Sequence, residues 1–558
     1  MKGSILIAGP AGYGINTAND IISRLLKQHG YNIYSTKDYM SRVRGGFNFT
    51  KIRFADEAIH TYDPNVDFMI AFDKQGISRL DDLRETGVFI TSDKVDITDE
   101  RVVFIDEGYV KSTFGKWTFP MATLGVLFSI LSIDKEIIQS FNYGKWPQEV
   151  IDKNIEAILY GYELGDTLNR KQPIKKVKIE KQMMITGNQS IALGAAAAGV
   201  DFYCAYPMAP STGIMTYLNK YSKDMHIVVE QAEDEIAAVN AAIGASATGA
   251  RAMTGSSGGG YALMVEAIGF AAIAEVPLVV VDVQRPGPAT GLPTRTEQAD
   301  LSFVLYASQG EFSRMIMAPR SVEDAFYQTF RALNIADKYN MPVTILSDEY
   351  LADTAMTVPK FNLDELVIDR QLETSFEGYK RYDFDHVTGH RAYPGLDDET
   401  LIMTDSHVHN EDGSITEDPE VTIKLKRKLM AKQQQLMNEV MEPVYVGVEA
   451  PEILLTCWGS TYGAVKEAVE RLIEDGHLVG LLSFNDIFPL PTKKLTQYSL
   501  KAKKIINIEQ NYTNQFGKIL ILEGNVRYDD SINKYDGRPF SADEIITALE
   551  VHLNDQTK

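Results

Sequence analysis

Three short stretches of this chain hold residue types that could do chemistry. Glu230, Glu233, Asp234 and Glu235 crowd into Val228–Glu235; Gly258, Gly259 and Gly260 follow Ser256-Ser257; Arg285 stands before Pro286-Gly287-Pro288. A carboxyl at the start of a helix can hold a proton, glycines let backbone approach a ligand closely, and a guanidinium on a stiff loop can grip a carboxylate in a fork geometry. Each stretch follows an apolar run that reads as a strand. In open α/β sheets the rim at the carboxyl ends of the strands is where ligands bind.

The elements that must position them come next. From Ile236 the pattern Ile236, Val239, Ile243 among Ala237, Ala238, Ala241, Ala242, Ala245 and Ala247 predicts a helix with one smooth face, open to a flat ligand or another backbone. Acids in its first turn suit the helix dipole, and for Glu230, Asp234 and Glu235 a helix-starting role is the plainer reading. The loop Ser256–Gly260 lacks Gly-Lys-Ser/Thr and is no P-loop.

Taken together, Gln231-Ala232-Glu233-Asp234-Glu235-Ile236-Ala237-Ala238-Val239-Asn240, Gly287-Pro288-Ala289-Thr290-Gly291-Leu292-Pro293-Thr294-Arg295-Thr296-Glu297-Gln298 and Tyr206-Pro207-Met208-Ala209-Pro210-Ser211-Thr212 resemble the α chain of the 2-oxoacid:ferredoxin oxidoreductases, in the form with a γ domain fused ahead of it. The resemblance covers nearly the whole chain and implies a domain holding the aminopyrimidine half of thiamine diphosphate. It puts Glu233 against the pyrimidine ring nitrogen as the catalytic acid, a role that a poorly solvated carboxyl can fill by sharing a proton. It places Gly258, Gly259, Tyr206 and Pro207 near the cofactor, and Arg285, Thr290 and Thr294 toward the 2-oxoacid. Family members usually read Tyr-Pro-Ile-Thr-Pro where this chain has Met208-Ala209, so the threonine hydroxyl that would meet substrate is missing; Ser211 or Thr212 could return one.

Bulk composition is compatible with this. At 558 residues the chain has room for about three or four domains. Its net charge of −21 argues against non-specific nucleic-acid binding, so anionic ligands must be met by local groups. Cys204 and Cys457 are the only cysteines, which excludes a disulfide framework and a protein-held iron–sulfur cluster. The N-terminal apolar run is too short for a signal peptide, and Trp117–Ile133 and Gln182–Val200 are broken by Pro120 and by Asn188-Gln189-Ser190; a cytoplasmic chain with no membrane span is expected.

In chain order, Ser4–Ala8 predicts a strand leading into Gly9-Pro10-Ala11-Gly12-Tyr13-Gly14 and a helix, a turn that presents backbone N–H groups to phosphate. The acid a dinucleotide site would place about 20 residues on is missing. Ser41-Arg42-Val43-Arg44-Gly45-Gly46-Phe47-Asn48 resembles the arginine–glycine segment of the γ domain that helps hold coenzyme A over the active site, which makes Gly12, Gly14, Arg42 and Arg44 its candidate ligands; a structural or interface role for the arginine pair stays open. The expected organisation is an α/β γ domain (1–172), a doubly wound pyrimidine-binding thiamine diphosphate domain (180–359), a connecting segment (360–447) and a transketolase C-terminal-like domain (448–558). His407 and His409 lack further ligands, and no metal site is expected on this chain.

What is lacking shapes the mechanism. No Gly-Asp-Gly occurs to hold Mg²⁺ and diphosphate, and there are no cysteines for a [4Fe–4S] cluster. The resemblance therefore implies a β subunit supplying both, ferredoxin as acceptor, coenzyme A as co-substrate and an (αβ)₂ assembly. The expected reaction is decarboxylation of a 2-oxoacid, 2-oxoglutarate first, to acyl-CoA; a branched-chain or other oxoacid, or a non-catalytic scaffold subunit, are the alternatives.

Overall fold

The computed structural model describes residues 2–41, 45–178, 182–373, 377–389, 391–395 and 402–554, in two compact units. The first comprises Met1–Met184 and Thr354–Lys360. Its sheet is built on β1 (Lys2–Ala11), parallel to β4 (Val66–Ala71) on one side and antiparallel to β3 (Gly45–Ala55) on the other. β5 (Leu83–Ser92) and β6 (Val102–Ile105) extend the parallel side, and β2 (Asn32–Asp38) the antiparallel one. β7 (Gln182–Thr186) and β14 (Ala355–Pro359) complete the eight strands. β14, with which the sequence reading ends the second domain, pairs here with β2, and its Thr357 Oγ1 accepts from Ile33 N at 2.9 Å.

Helix α1 (Ile15–Gln28) leaves β1 through the glycine turn; α2 (Glu107–Thr113), α3 (Phe119–Ile130), α4 (Lys135–Ser140) and α5 (Gln148–Asp166) follow. The uncharged stretch around Pro120 is α3, buried along its whole length. It packs backbone to backbone on α5: a Cβ on Gly125 would lie 1.9 Å from Ile158 O, and one on Gly161 1.9 Å from Ala122 O. Only glycine permits that approach. Among the described residues no helix is long and apolar enough to cross a membrane.

The second unit comprises Ile185–Asp353 and Phe361–Lys558. Chain order gives α6 (Gly187–Ala197), β8 (Phe202–Ala205), α7 (Thr212–Met225), β9 (Val228–Gln231), α8 (Glu235–Ala247), β10 (Ala252–Ser256), α9 (Gly258–Ile273), β11 (Leu278–Gln284), α10 (Leu301–Tyr306), β12 (Met315–Met317), α11 (Val322–Tyr339), β13 (Pro342–Asp348) and α12 (Glu349–Asp353). Strand order is β18-β12-β13-β11-β10-β8-β9, parallel except for β18 (Asp486–Phe488). The register Cys204↔Glu230, Ser256↔Asp282 and Asp282↔Leu346 brings the carboxyl ends of these strands to one edge.

Among the described residues, 361–418 hold little regular structure, and buried charges fix them and the helix that follows: Arg391 Nη2 lies 3.2 Å from Asp337 Oδ1. Glu275, just past α9, receives Lys428 Nζ at 2.8 Å and Lys432 Nζ at 2.7 Å from α13 (Pro419–Leu436), while Arg381 Nη2 and Tyr382 Oη donate to carbonyls at the end of α9. Cations at a helix C-terminus meet its unpaired carbonyls.

The last sheet runs β15 (Val444–Gly447), β17 (Val479–Phe484), β16 (Ile453–Trp458), β19 (Lys504–Glu509) and β20 (Asp530–Asn533). α14 (Tyr462–Glu474) and α17 (Ala542–Asn554) pack together on a core of their own, with α15 (Lys493–Ser499) and α16 (Gln515–Leu522) between. One apolar core runs on from Val239, Tyr261, Val280 and Leu301 to Leu454, Trp458, Phe484 and Phe516, which is why the two sheets form a single unit.

Candidate active site

In the first unit, Gly12 and Gly14 take the left-handed backbone (φ 87° and 91°), and Tyr13 N donates to Pro10 O, closing the turn at the start of α1. No side chain caps that helix. Its amino end can therefore meet an anion through backbone N–H groups. Arg42 and Arg44 lie outside the described residues.

In the second unit the loops stand where the parallel strands end. After β8, Tyr206 and Pro207 are half-buried and Ala209 is exposed. The Ala209–Pro210 peptide is cis, Asn188 Nδ2 donates to Pro210 O at 2.9 Å, and Ser211 Oγ donates to Met208 O at 2.8 Å. The buried Ser211 hydroxyl thus donates inside the loop in this structure.

After β9 the two acids separate. Glu233 is exposed, and Asp234 caps α8 by accepting from Ala237 N at 2.7 Å. Glu235 is 4% exposed and its Oε1 accepts from Ser256 Oγ at 2.9 Å, while the described residues give Oε2 no hydrogen bond. A Cβ on Gly260 would lie 2.4 Å from Glu235 Oε1 and 2.0 Å from Ser256 Oγ, so the glycine turn is what admits this carboxyl. The poorly solvated acid that the sequence argument asks of Glu233 is met by Glu235, and the reason is helical geometry. Glu235, Ala238, Val239, Ala242, Ile243 and Ser246 form the buried face of α8, and Glu233 precedes it. That periodicity was the signal that could have found it.

Gly259 is exposed with open space around its backbone, and Ser257 Oγ is buried beside it without a partner. Gly258 faces Asp300, whose Oδ2 would lie 2.3 Å from an added Cβ. Burial lifts Asp300 up to about 6 against the pull of Arg285, and burial beside Asp300 lifts Asp282 well above the carboxylate range. Both Asp282 oxygens are buried without a partner. Neither acid was singled out from sequence, because nothing in their spacing brings them together.

Arg285 is half-buried and its Nη1 donates to Ala209 O at 2.7 Å, latching the fourth loop to the first. Thr290 is exposed at the loop tip, Thr294 is buried, and the Gly287–Pro288 peptide is cis. Residues of the chain thus bring one buried carboxyl with a spare oxygen, an open glycine turn and a guanidinium to the same sheet edge. That donor set fits the pyrimidine half of thiamine diphosphate: an acid for a ring nitrogen and a small-residue floor for a flat ring. Among the described residues no group of His, Cys, Asp and Glu could hold a metal ion. His409 is buried against Tyr382, with Nδ1 on His407 O, and His390 lies outside the described residues.

Comparison with known proteins adds the following. Residues 4–164 match the family model described as pyruvate ferredoxin/flavodoxin oxidoreductase, residues 193–426 the thiamine-diphosphate-binding model of pyruvate flavodoxin/ferredoxin oxidoreductase, and residues 451–545 core domain II of pyruvate:ferredoxin oxidoreductase. A 2-oxoacid:ferredoxin oxidoreductase subunit alpha of Sulfolobus sp. is 28% identical, covering 100% of this chain and 98% of its own. A 2-oxoglutarate synthase subunit of Archaeoglobus fulgidus is 35% identical over 59% of this chain and 88% of its own. The solved 2-oxoglutarate:ferredoxin oxidoreductase of Magnetococcus marinus, with 2-oxoglutarate, coenzyme A and succinyl-CoA bound, superposes with a TM-score of 0.93 at 28% identity over 99% of both chains.

Proposed function

This chain belongs to the 2-oxoacid:ferredoxin oxidoreductases as an α subunit with the γ domain fused ahead of it, and from that premise we propose that it turns over 2-oxoglutarate. The reaction takes 2-oxoglutarate and coenzyme A to succinyl-CoA and carbon dioxide, releasing two electrons to ferredoxin and one proton. The observation that carries the reading is the full-length likeness to the enzyme solved with these ligands, joined to a guanidinium on the sheet edge held by one arm on Ala209 O.

Bound thiamine diphosphate supplies a nucleophilic carbon and a sink for the electron pair left by carbon dioxide. The chain's own residues do the rest. Glu235, its Oε1 fixed by Ser256 Oγ, would be the carboxyl that meets the pyrimidine ring, and the open turn at Gly259 would leave room for it. Tyr206 and Pro207 wall the site. Arg285 keeps one arm on Ala209 O and turns its remaining N–H groups to the substrate carboxylate, with Thr290 on the exposed tip of the same loop. The turn at Gly12 and Gly14, with Arg42 and Arg44, takes the coenzyme A phosphates.

Two buried cysteines cannot hold a cluster, so a β subunit carries [4Fe–4S], Mg²⁺ and the diphosphate contacts in an (αβ)₂ enzyme of the cytoplasm. The test is co-purification with the partner and reduction of a viologen over a panel of 2-oxoacids with and without coenzyme A. We expect coenzyme-A-dependent turnover, fastest on 2-oxoglutarate, and none from this chain alone. Turnover by the isolated chain would overturn the half-site reading, and a faster branched-chain substrate would overturn the substrate.

A further inference from the structure

We propose that Gln298 is the positioning residue of the Arg285 loop, and that through it the C-terminal sheet sets where the substrate guanidinium is held. This rests on the reading of Arg285 given above. The loop leaves β11 at Gln284 and returns at Asp300. Its tip, residues 287–292, is exposed, whereas its return leg from Thr294 is largely buried. The neck is tied across by Gln284, whose Oε1 accepts from Asp300 N at 3.1 Å and whose Nε2 donates to Ser347 O at 3.0 Å. Arg285 is the first residue beyond that neck.

Gln298 lies on the return leg, fully buried, and every polar group of the residue is taken by the C-terminal part of the chain. Its Nε2 donates to Trp458 O at 3.1 Å; its Oε1 accepts from Thr461 Oγ1 at 2.8 Å and from Gln510 N at 3.2 Å. Its backbone N donates to Gln510 O at 2.7 Å and its carbonyl accepts from Asn511 Nδ2 at 2.9 Å. Gly459 takes the left-handed backbone (φ 55°), and a Cβ there would stand 2.9 Å from Gln298 Nε2, so the partner segment leaves room for this amide.

The anchoring segment is itself held by a buried acid. Glu509 accepts from Asn511 Nδ2 at 2.6 Å and from Phe516 N at 3.0 Å, which fixes the amide that grips Gln298. Gln515 adds one bond to the same leg, Nε2 to Ala299 O, and one to the start of α10, Oε1 from Ser302 N, each 2.7 Å. The loop thus has an exposed tip and an anchored return leg that meet at the neck, where Arg285 begins. Loosening the leg therefore acts on the first residue past the neck, Arg285, and a small misplacement of a positioning group costs rate and affinity steeply.

The test uses the enzyme co-purified with its partner and carrying Gln298→Ala, Thr461→Val or Thr461→Ser. Valine keeps the shape of threonine and removes the donor to Gln298 Oε1; serine keeps it. We expect Gln298→Ala and Thr461→Val to raise KM for 2-oxoglutarate by about fivefold or more with KM for coenzyme A within about twofold, and Thr461→Ser to behave as wild type. Hydrogen exchange should quicken in the peptide spanning residues 286–296. Exchange there that matches wild type in both disruptive variants, or KM values for the two substrates that rise together, would overturn the proposal. Absence of 2-oxoglutarate turnover in the wild-type enzyme would sink the functional reading instead, and the exchange measurement would still decide the clamp.

Discussion

Asp300 gives the site a pH signature whose sign follows from its surroundings. Burial raises it to about 6 although Arg285 pulls the other way, and Asp282 and Glu297 are the acids near it. Its folded value lies above the ordinary 3.8, so the protonated form is the stable one in the fold; that stabilisation is complete below the ordinary value and is lost as pH rises through about 6. Above that pH the new anion also competes with substrate for the field of Arg285. KM for the 2-oxoacid should rise through pH 6 in wild type and stay level in Asp300→Asn; superimposable profiles would refute the link. Ala209 makes a second residue-scale case. Its carbonyl holds Arg285 and its side chain is exposed. Ala209→Thr should leave the melting temperature unchanged and shift kcat/KM by factors that differ between 2-oxoacids, as one added hydroxyl worth about 0.5–1.5 kcal/mol acts locally. Equal rate constants on every oxoacid would mean this loop does not touch substrate.

Among the elements, α8 and the 361–418 segment show what the sequence could and could not reveal. The strands and the three loops at their carboxyl ends were legible because period and loop composition are local. On α8 the apolar pattern took in Ile236, which is exposed; the buried face runs one residue earlier through Glu235, Ala238, Val239 and Ala242, and the acid-rich first turn, attractive to any helix dipole, masked it. Asp282 with Asp300, and Gln298 with Gln510, meet across loops through contacts that no spacing encodes. The 361–418 segment has no period at all, since single buried charges hold it. Burial pushes Glu275 up, but Lys432 and Lys428 outweigh that and keep its carboxyl at about 2. This stabilisation is present above the ordinary carboxylate value of 4.5 and is lost as pH falls through about 2. Glu275→Gln strands two buried ammonium groups and should cost about 3–5 kcal/mol at neutral pH, read by denaturant unfolding. A loss below about 1 kcal/mol would show that water reaches the cluster.

At the scale of the whole molecule, the proposed function asks a chain of net charge −21 to bind anionic substrates, which single cations and helix N-termini at chosen points would allow. It brings a buried carboxyl, an open glycine turn and a guanidinium to one sheet edge, and its two cysteines are buried. Under the proposed function this chain is half of an active site, with Glu235 as its contribution to the cofactor's chemistry. The most direct measurement is turnover of 2-oxoglutarate by the partnered enzyme carrying Glu235→Gln or Glu233→Gln, each checked for assembly. Glu235→Gln should lower kcat by about 10² to 10⁴, as loss of a positioned proton carrier does, with Glu233→Gln within a few-fold of wild type. Full activity in Glu235→Gln, or the large loss falling on Glu233→Gln, would contradict it.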